Sequence, residues 1–381
     1  MSLPLEGILV ADFSRVLAGP LATVMLADLG AEVIKVERPG QGDDTRHWGP
    51  PWVAGSSSYF ECANRSKKSV ELDLGDDHDR ALAVELASRA DVVVENFREG
   101  ALERRGLGYE RVARTNPGVV YCSITGFGSH AGANLPGYDF LVQAVGGLMS
   151  ITGPENGDPT KVGVALVDVL TSKDAVIGIM AALRAREVHG VGQRVEVNLL
   201  SSLLGSLANQ ASSFLATGDV PSRMGNKHPS IAPYESLRCR DGAMALACGN
   251  DTQFRALTKE LGVPEAADDH RFASNGARVQ NREAMVVVLE TALARDSVSS
   301  WVERLTKAGV PAGKVDDIAG GLDLAERLGL APLAAVGGSA SEQVRHPITY
   351  SHTPVENYVA PPRLGEHNDE IRRWLTKEHT P

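Results

Sequence analysis

Aromatic residues are scarce: Phe, Trp and Tyr make up only 5% of the 381-residue chain, so its core has to be assembled mainly from Ala, Val and Leu. There are four cysteines, Cys62, Cys122, Cys239 and Cys248, spread out with no CxxC pair. That argues against a disulfide framework or a zinc site and suits a reducing compartment. Basic residues do not predominate. A net charge of −10 disfavours nucleic acid as the main partner, because phosphate backbones require a basic face. No stretch approaches the ~20 uninterrupted apolar residues of a membrane span, and the opening MSLPLEGILVADF has no basic segment followed by an apolar one. The expectation is a cytoplasmic protein with neither a membrane nor a nucleic-acid partner. Several chemical signatures are also missing. There is no GxSxG elbow, no Walker A loop and no HExxH, and the ten histidines are scattered without metal-ligand spacing, so no metal is expected.

What is present is alternation. GILVADF (7–13) reads as a buried strand, LATVMLADLG as a helix closed by Gly30, and AEVIKVERPG as a second strand ended by Pro39 and Gly40. Strand, helix and strand within about forty residues form a βαβ unit, which predicts a doubly wound parallel sheet. The pattern continues through SVELDL, a helix across Asp77–Arg89, the strand DVVVENF, short helices over Ala101–Arg114 and the strand VVYCSITGF. A helical stretch over Tyr138–Met149, a long helix after Lys161–Ser172, the strand RVEVNLL and a helix to about Leu215 follow. From about Gly218 the texture changes to a loop, a hairpin turning at Asp241-Gly242 and three amphipathic helices, Thr252–Leu261, Asn281–Arg295 and Ser297–Ala308. This predicts an α/β chain with a large domain over 1–217, a smaller α/β domain over 218–330 and a C-terminal return, 331–381, to the large domain.

Gly126–Ala131 fits GxGxxA, yet Gly132 and Pro136 break the helix a dinucleotide site requires, and no acidic residue follows at the right distance. A nicotinamide cofactor is not expected. Asp168 stands out more. It is the only carboxylate in KVGVALVDVLTS and sits where the chain turns helical. A carboxylate at a helix start gains from free N–H groups and the macrodipole, which predicts an ionised, oriented side chain. That is what a carboxylate nucleophile needs, although an ordinary helix cap has the same spacing.

The stretches VADFSRVLAGPLATVMLADLGAEVIKVERPGQGDDTR, NRSKKSVELDL, DVVVENFREGALERRGLGY, GYDFLVQAVGGLMSITG, KVGVALVDVLTS and APPRLGEHNDEI occur in this order. Together they resemble the class III (family III) CoA-transferases, the group containing formyl-CoA transferase, over essentially the whole chain. The segment from GYD to VLT and MGNKHPSIAPYESL look most similar to succinate–hydroxymethylglutarate CoA-transferases, which handle dicarboxylic acids. The resemblance implies that Asp168 attacks an acyl-CoA thioester, passing through an aspartyl–acyl anhydride and an aspartyl-CoA thioester. It implies CoA contacts at Val16, Leu17, Ala18, Arg38, Leu72, Asn96, Phe97 and Arg104, with coenzyme A as substrate and no permanently bound cofactor. It also implies an interlocked homodimer.

Leu17 and Gly75 depart from formyl-CoA transferase, which has Gln and a CoA-contacting Lys there, and its lid glycines are absent. An α-methylacyl-CoA racemase is the rival within the fold, but its Gly-His-Asp motif is Gly137-Tyr138-Asp139 here, and Tyr is a poor base near neutral pH. A non-catalytic CoA-binding protein is the rival of a different class. A dicarboxylate substrate needs a cation or donors for its second charge. The candidates are Arg15, Arg46, Lys227 and His228, with Tyr138 also facing substrate by analogy, and the MGNKHPS loop is favoured.

Overall fold

The computed structural model describes residues 2–53, 55–337 and 342–377. It divides into two compact units, one of residues 1–148, 161–219 and 331–381, the other of 149–160 and 220–330. The sequence pattern assigns 149–160 to the large domain, 1–217. In the structure this segment pairs with the loop that opens the smaller unit, for example through the Gly225 N–H to the Gly153 carbonyl (3.1 Å).

The larger unit begins β1 (Leu9–Asp12), α1 (Ala18–Asp28), β2 (Glu32–Glu37), a hairpin of β3 (Trp52–Val53) and β4 (Ser56–Ser57), and α2 (Ser58–Asn64). It continues with β5 (Lys67–Glu71), α3 (Asp77–Arg89), β6 (Val92–Glu95), α4 (Tyr109–Thr115) and β7 (Val120–Thr125). The expected helix over Tyr138–Met149 is divided into α5 (Asp139–Val145) and a single turn, α6 (Leu148–Ile151), of which only Leu148 belongs to the larger unit. Then come α7 (Leu166–His189), β8 (Gln193–Asn198), α8 (Leu199–Ser206) and α9 (Ala208–Thr217).

Six strands form one wholly parallel sheet in the order β5-β2-β1-β6-β7-β8. Apolar residues on both faces of the strands explain the continuous Val and Ile runs, since a parallel sheet is covered on both sides. Val10, Val92, Val94 and Cys122 pack on α1 and α7. Ala11, Ile34, Val93 and Tyr121 pack on α3, α4 and the C-terminal helix Asn368–Thr376. Scarce aromatics leave the first of these layers to Ala, Val, Leu and Ile.

The smaller unit carries β9 (Tyr234–Arg238) and β10 (Ala243–Ala247), the antiparallel hairpin expected around Asp241-Gly242, with β11 (Ala312–Lys314) beside β10. Its helices α10 (Asp251–Glu260), α12 (Arg282–Leu293) and α13 (Val298–Lys307) are those read from the amphipathic pattern, and α11 (Asn275–Gln280) precedes α12. Among the described residues no helix is long and apolar enough to cross a membrane, and no group of three or more His, Cys, Asp or Glu could hold a metal ion.

Candidate active site

In the large sheet β1 lies between β2 and β6: the chain winds outward from β1 through β2 to β5, then crosses back to β6 on the other side of β1. A crevice opens at the carboxyl ends of the strands at such a switch point. Two cavities occupy it. One, of about 250 Å³, is walled by the loop after β1 (residues 15–18), the loop after β6 (96–99), residues 124–126 and 132–138 after β7, and Asp168. The other, of about 150 Å³, is walled by Lys35–Arg38, Leu72–Gly75 and Arg105. Arg15 and Phe97 belong to both walls, so the cavities adjoin. Loop 126–137 walls the first cavity with its two ends together, because Gly126 and Gly137 meet backbone to backbone. A Cβ on either would collide with the Cα of the other.

Asn96 ties the two strand-end loops together. Its Oδ1 accepts from the Arg15 N–H (2.9 Å) and its Nδ2 donates to the Arg15 carbonyl (2.7 Å). The Arg15 guanidinium lies 5.0 Å over the Phe97 ring.

Asp168 is the third residue of α7, not its cap: the helix starts at Leu166 and Ala165 caps it without a side-chain bond. The free N–H groups expected to stabilise Asp168 are taken by another carboxylate. Asp139 Oδ2 accepts from the Val167 N–H (2.7 Å) and the Asp168 N–H (3.3 Å). Its Oδ1 takes the Gln143 amide (2.6 Å), and Gln143 Oε1 accepts from the Val162 N–H (2.9 Å). Burial, and after it the Asp139 charge, push the Asp168 carboxyl up to about 7. The expectation of a carboxylate held ionised by the helix is therefore corrected. The helix end is already satisfied, and desolvation with a like-charged neighbour governs. Near neutrality the group is about half ionised and poorly solvated, which makes it both an available base and an available nucleophile.

Two groups near Asp168 were not read as such from the sequence. One is Asp139, read only as the last residue of Gly137-Tyr138-Asp139 and not as a neighbour of Asp168, because a contact across 29 residues leaves no local signal. The other is Tyr59 on α2, whose phenol is pushed up to about 12 by burial and next by the Asp168 carboxylate. α2 starts where Ser57 Oγ accepts from the Phe60 N–H (3.1 Å). SSSYF was thus a readable helix start.

The remaining candidates separate. Val16, Leu17, Ala18, Asn96, Phe97, Tyr138 and Asp168 share the larger cavity, and Arg38 and Leu72 are in the wall of the smaller. Arg105, not the exposed Arg104, lines the smaller cavity. Arg46 is committed elsewhere. It grips Glu37 through two bonds of 2.8 and 2.7 Å and stacks 3.8 Å over Phe60. In the smaller unit Lys227 is paired with Glu155 (2.8 Å), and the His228 ring lies 5.1 Å from Tyr234. The favoured loop therefore offers a cation already answered by an acid.

The sequence model of CoA-transferase family III matches residues 5–368. The chain belongs to this family. A succinate–glutarate CoA-transferase of Agrobacterium fabrum is 42% identical over 97% of this chain and 94% of its own. A mouse succinyl-CoA:glutarate CoA-transferase is 40% identical over 98% of this chain and 87% of its own. The crystal structure of a CaiB/BaiF family protein from Brucella suis superposes with a TM-score of 0.89 at 42% identity, covering 98% of this chain and all of that one. As a family III CoA-transferase, the protein takes CoA thioesters as substrates and needs no permanent cofactor. The departure at Gly75 falls in the wall of the smaller cavity, and that at Leu17 in the wall of the larger.

Proposed function

We propose that Asp168 is the nucleophile of CoA transfer between dicarboxylic acids. The observation that carries this reading is a carboxyl raised to about 7, set in one cavity with the strand-end loops 15–18 and 96–99. The ionised Asp168 attacks the thioester carbonyl, and CoA leaves as thiolate from a mixed aspartyl–acyl anhydride. The thiolate attacks the Asp168 carbonyl and expels the acyl group as a free carboxylate, leaving an aspartyl-CoA thioester. An incoming carboxylate attacks that thioester, a second anhydride forms, and thiolate attack on the new acyl carbon frees Asp168. Arg38 and Arg105, in the wall of the smaller cavity, suit the nucleotide phosphates, for which Arg offers a planar fork.

The relatives named for succinate and glutarate support a dicarboxylic substrate. For its second carboxylate we assign Arg15, ahead of Lys227 and His228. Arg15 walls both cavities, its Nε is buried without a hydrogen-bond partner among the described residues, and the acid beside it, Asp44, is 3.8 Å away. Arg15→Ala is expected to erase a preference for glutarate over valerate as acceptor, and equal use of the two by the wild type would refute the assignment. Exposed Ile177, Val188 and Leu215 on α7 and α9 support a homodimer, to be checked by light scattering. Four unpaired cysteines support a reducing, cytoplasmic setting.

The deciding experiment incubates the protein with succinyl-CoA and glutarate and follows glutaryl-CoA by mass. Borohydride or hydroxylamine added during turnover is expected to modify Asp168. Exchange surviving in Asp168→Asn would end the reading.

A further inference from the structure

The chain turns sharply between β1 and α1, at the wall of the cavity that holds Asp168, and the turn is made by an unsuitable residue. Val16 has φ 68°, in the left-handed region that a β-branched side chain resists. Such conformations persist only where the surroundings over-determine them. Here every backbone polar group from the Ser14 N–H to the Val16 N–H meets a side chain. Asp12 Oδ1 takes the Ser14 N–H (2.9 Å), and Asn96 takes both sides of Arg15. The contacts on either side of Arg15 come from one ion pair. Lys35 Nζ donates to the Ser14 carbonyl (2.9 Å), Asp43 accepts the Val16 N–H on both oxygens (3.3 and 3.2 Å), and Lys35 and Asp43 are themselves 2.9 Å apart.

We propose that Asp43, with Lys35, is a positioning residue for CoA transfer: the buried pair straddles the turn and imposes the left-handed Val16 that sets residues 16–18 in the cavity wall. The side chains of Lys35 and Asp43 are 1% and 0% exposed. A buried pair is weak evidence of stabilisation in itself, because desolvation offsets the attraction, so a conformational role is the better account of its presence. Burial alone would raise the Asp43 carboxyl, but Lys35 and the Thr45 N–H hold it below the usual range. Asp43 is further fixed by Thr45, whose N–H and Oγ1 both donate to its Oδ1 (3.0 and 2.8 Å). Neither Asp43 nor Lys35 takes part in the chemical steps written above.

The proposal rests on the transfer reading of the cavity, and the test separates the two. Exchange from succinyl-CoA to glutarate, with kcat and KM resolved, is measured for wild type, Asp43→Asn, Val16→Gly and the double variant. Glycine adopts φ near +68° without strain, so it removes the need for the clamp. Asp43→Asn is expected to lower kcat/KM at least tenfold in the Val16 protein and less than threefold in the Val16→Gly background. Equal loss in both backgrounds would overturn the role, because damage to packing or charge alone is indifferent to residue 16. Melting temperatures of all four separate lost fold from lost geometry. If Asp43→Asn does not fold, Lys35→Met/Asp43→Asn removes both charges and takes its place in the cycle, with the same criterion. No exchange by the wild type would overturn both readings, whereas an active wild type with an uncoupled cycle overturns this one alone.

Discussion

Asp168→Asn should make the protein more stable as it makes it inactive. The side chain keeps its shape at the third position of α7, and only the ionisable oxygen is lost. In the folded protein the carboxyl titrates at about 7, against about 3.9 for an unperturbed Asp, with burial the leading cause. A carboxyl raised on folding binds protons more tightly in the native state. Native stability therefore falls as pH rises from about 4 to about 7 and levels off above that. A shift of roughly three units corresponds to about 4 kcal/mol at pH 8, an upper figure because relaxation and entering water soften the penalty. Denaturant unfolding of wild type and Asp168→Asn at pH 8, 6 and 4 tests this. The variant should be more stable by roughly 2–4 kcal/mol at pH 8, by less at pH 6, and about equal at pH 4. In parallel, wild-type exchange should fall as pH drops through about 7, because the nucleophile becomes protonated. A variant no more stable than wild type at pH 8 would mean that Asp168 is well solvated, and the argument from desolvation would fail.

Asp139→Asn keeps an acceptor for the Val167 N–H but removes a charge, so the acid limb of the exchange profile should move to lower pH; an unmoved limb would show that the Asp139 charge does not act on Asp168. Asp139→Ala also removes the cap and should lose about 1–2 kcal/mol of stability by denaturant unfolding. Arg38→Ala should raise KM for acyl-CoA by about an order of magnitude with little change in kcat, as expected for loss of a charge-assisted contact worth ~1.5–3 kcal/mol. Arg46→Ala takes two bonds from the buried Glu37 carboxylate and leaves it those from Ser69 Oγ and the Asp43 N–H, so stability should fall by about 1–3 kcal/mol while KM measured on the folded fraction stays put.

The alternation of the first 125 residues was legible because strands covered on both faces are written as unbroken Val and Ile runs, and the helices between them end at Gly30 and at the strand-flanking turns. Legibility stopped where partners are distant in the chain. Sequence placed Asp168 at a helix start, but which acceptor takes the helix N–H groups depends on Asp139, brought there by the fold of α5. The neighbours Arg104 and Arg105 lie in a 3-10 turn, Glu103–Arg105, and its tighter winding decides which of them reaches the cavity wall. Residues 149–160 read as a continuation of the large domain because nothing in GPENGDPT announces pairing with a loop some seventy residues on. The ion pair of Lys35 and Asp43 was equally hidden: a lysine inside an apolar strand reads as an edge or a surface position, not as a clamp on another strand's exit.

The environment of Asp168 also bears on which way the proposed anhydride collapses. The thiolate can attack either carbonyl, and the carboxylate it expels is the one whose carbonyl it does not take. A weaker base leaves more readily, and an ordinary carboxylic acid titrates near 4, whereas Asp168 titrates at about 7 in its pocket. Expulsion of the substrate carboxylate is therefore the easier path, and it leads forward to the aspartyl-CoA thioester. The same burial that leaves the enzyme destabilised at neutral pH thus favours the first half of the transfer and opposes the closing step, in which Asp168 itself must be expelled from the second anhydride. The nearby Asp139 carboxylate serves both ends, since its backbone bonds fix the helix start while its charge keeps Asp168 the stronger base. A cap supplied by a neutral side chain would secure the geometry and forfeit the bias.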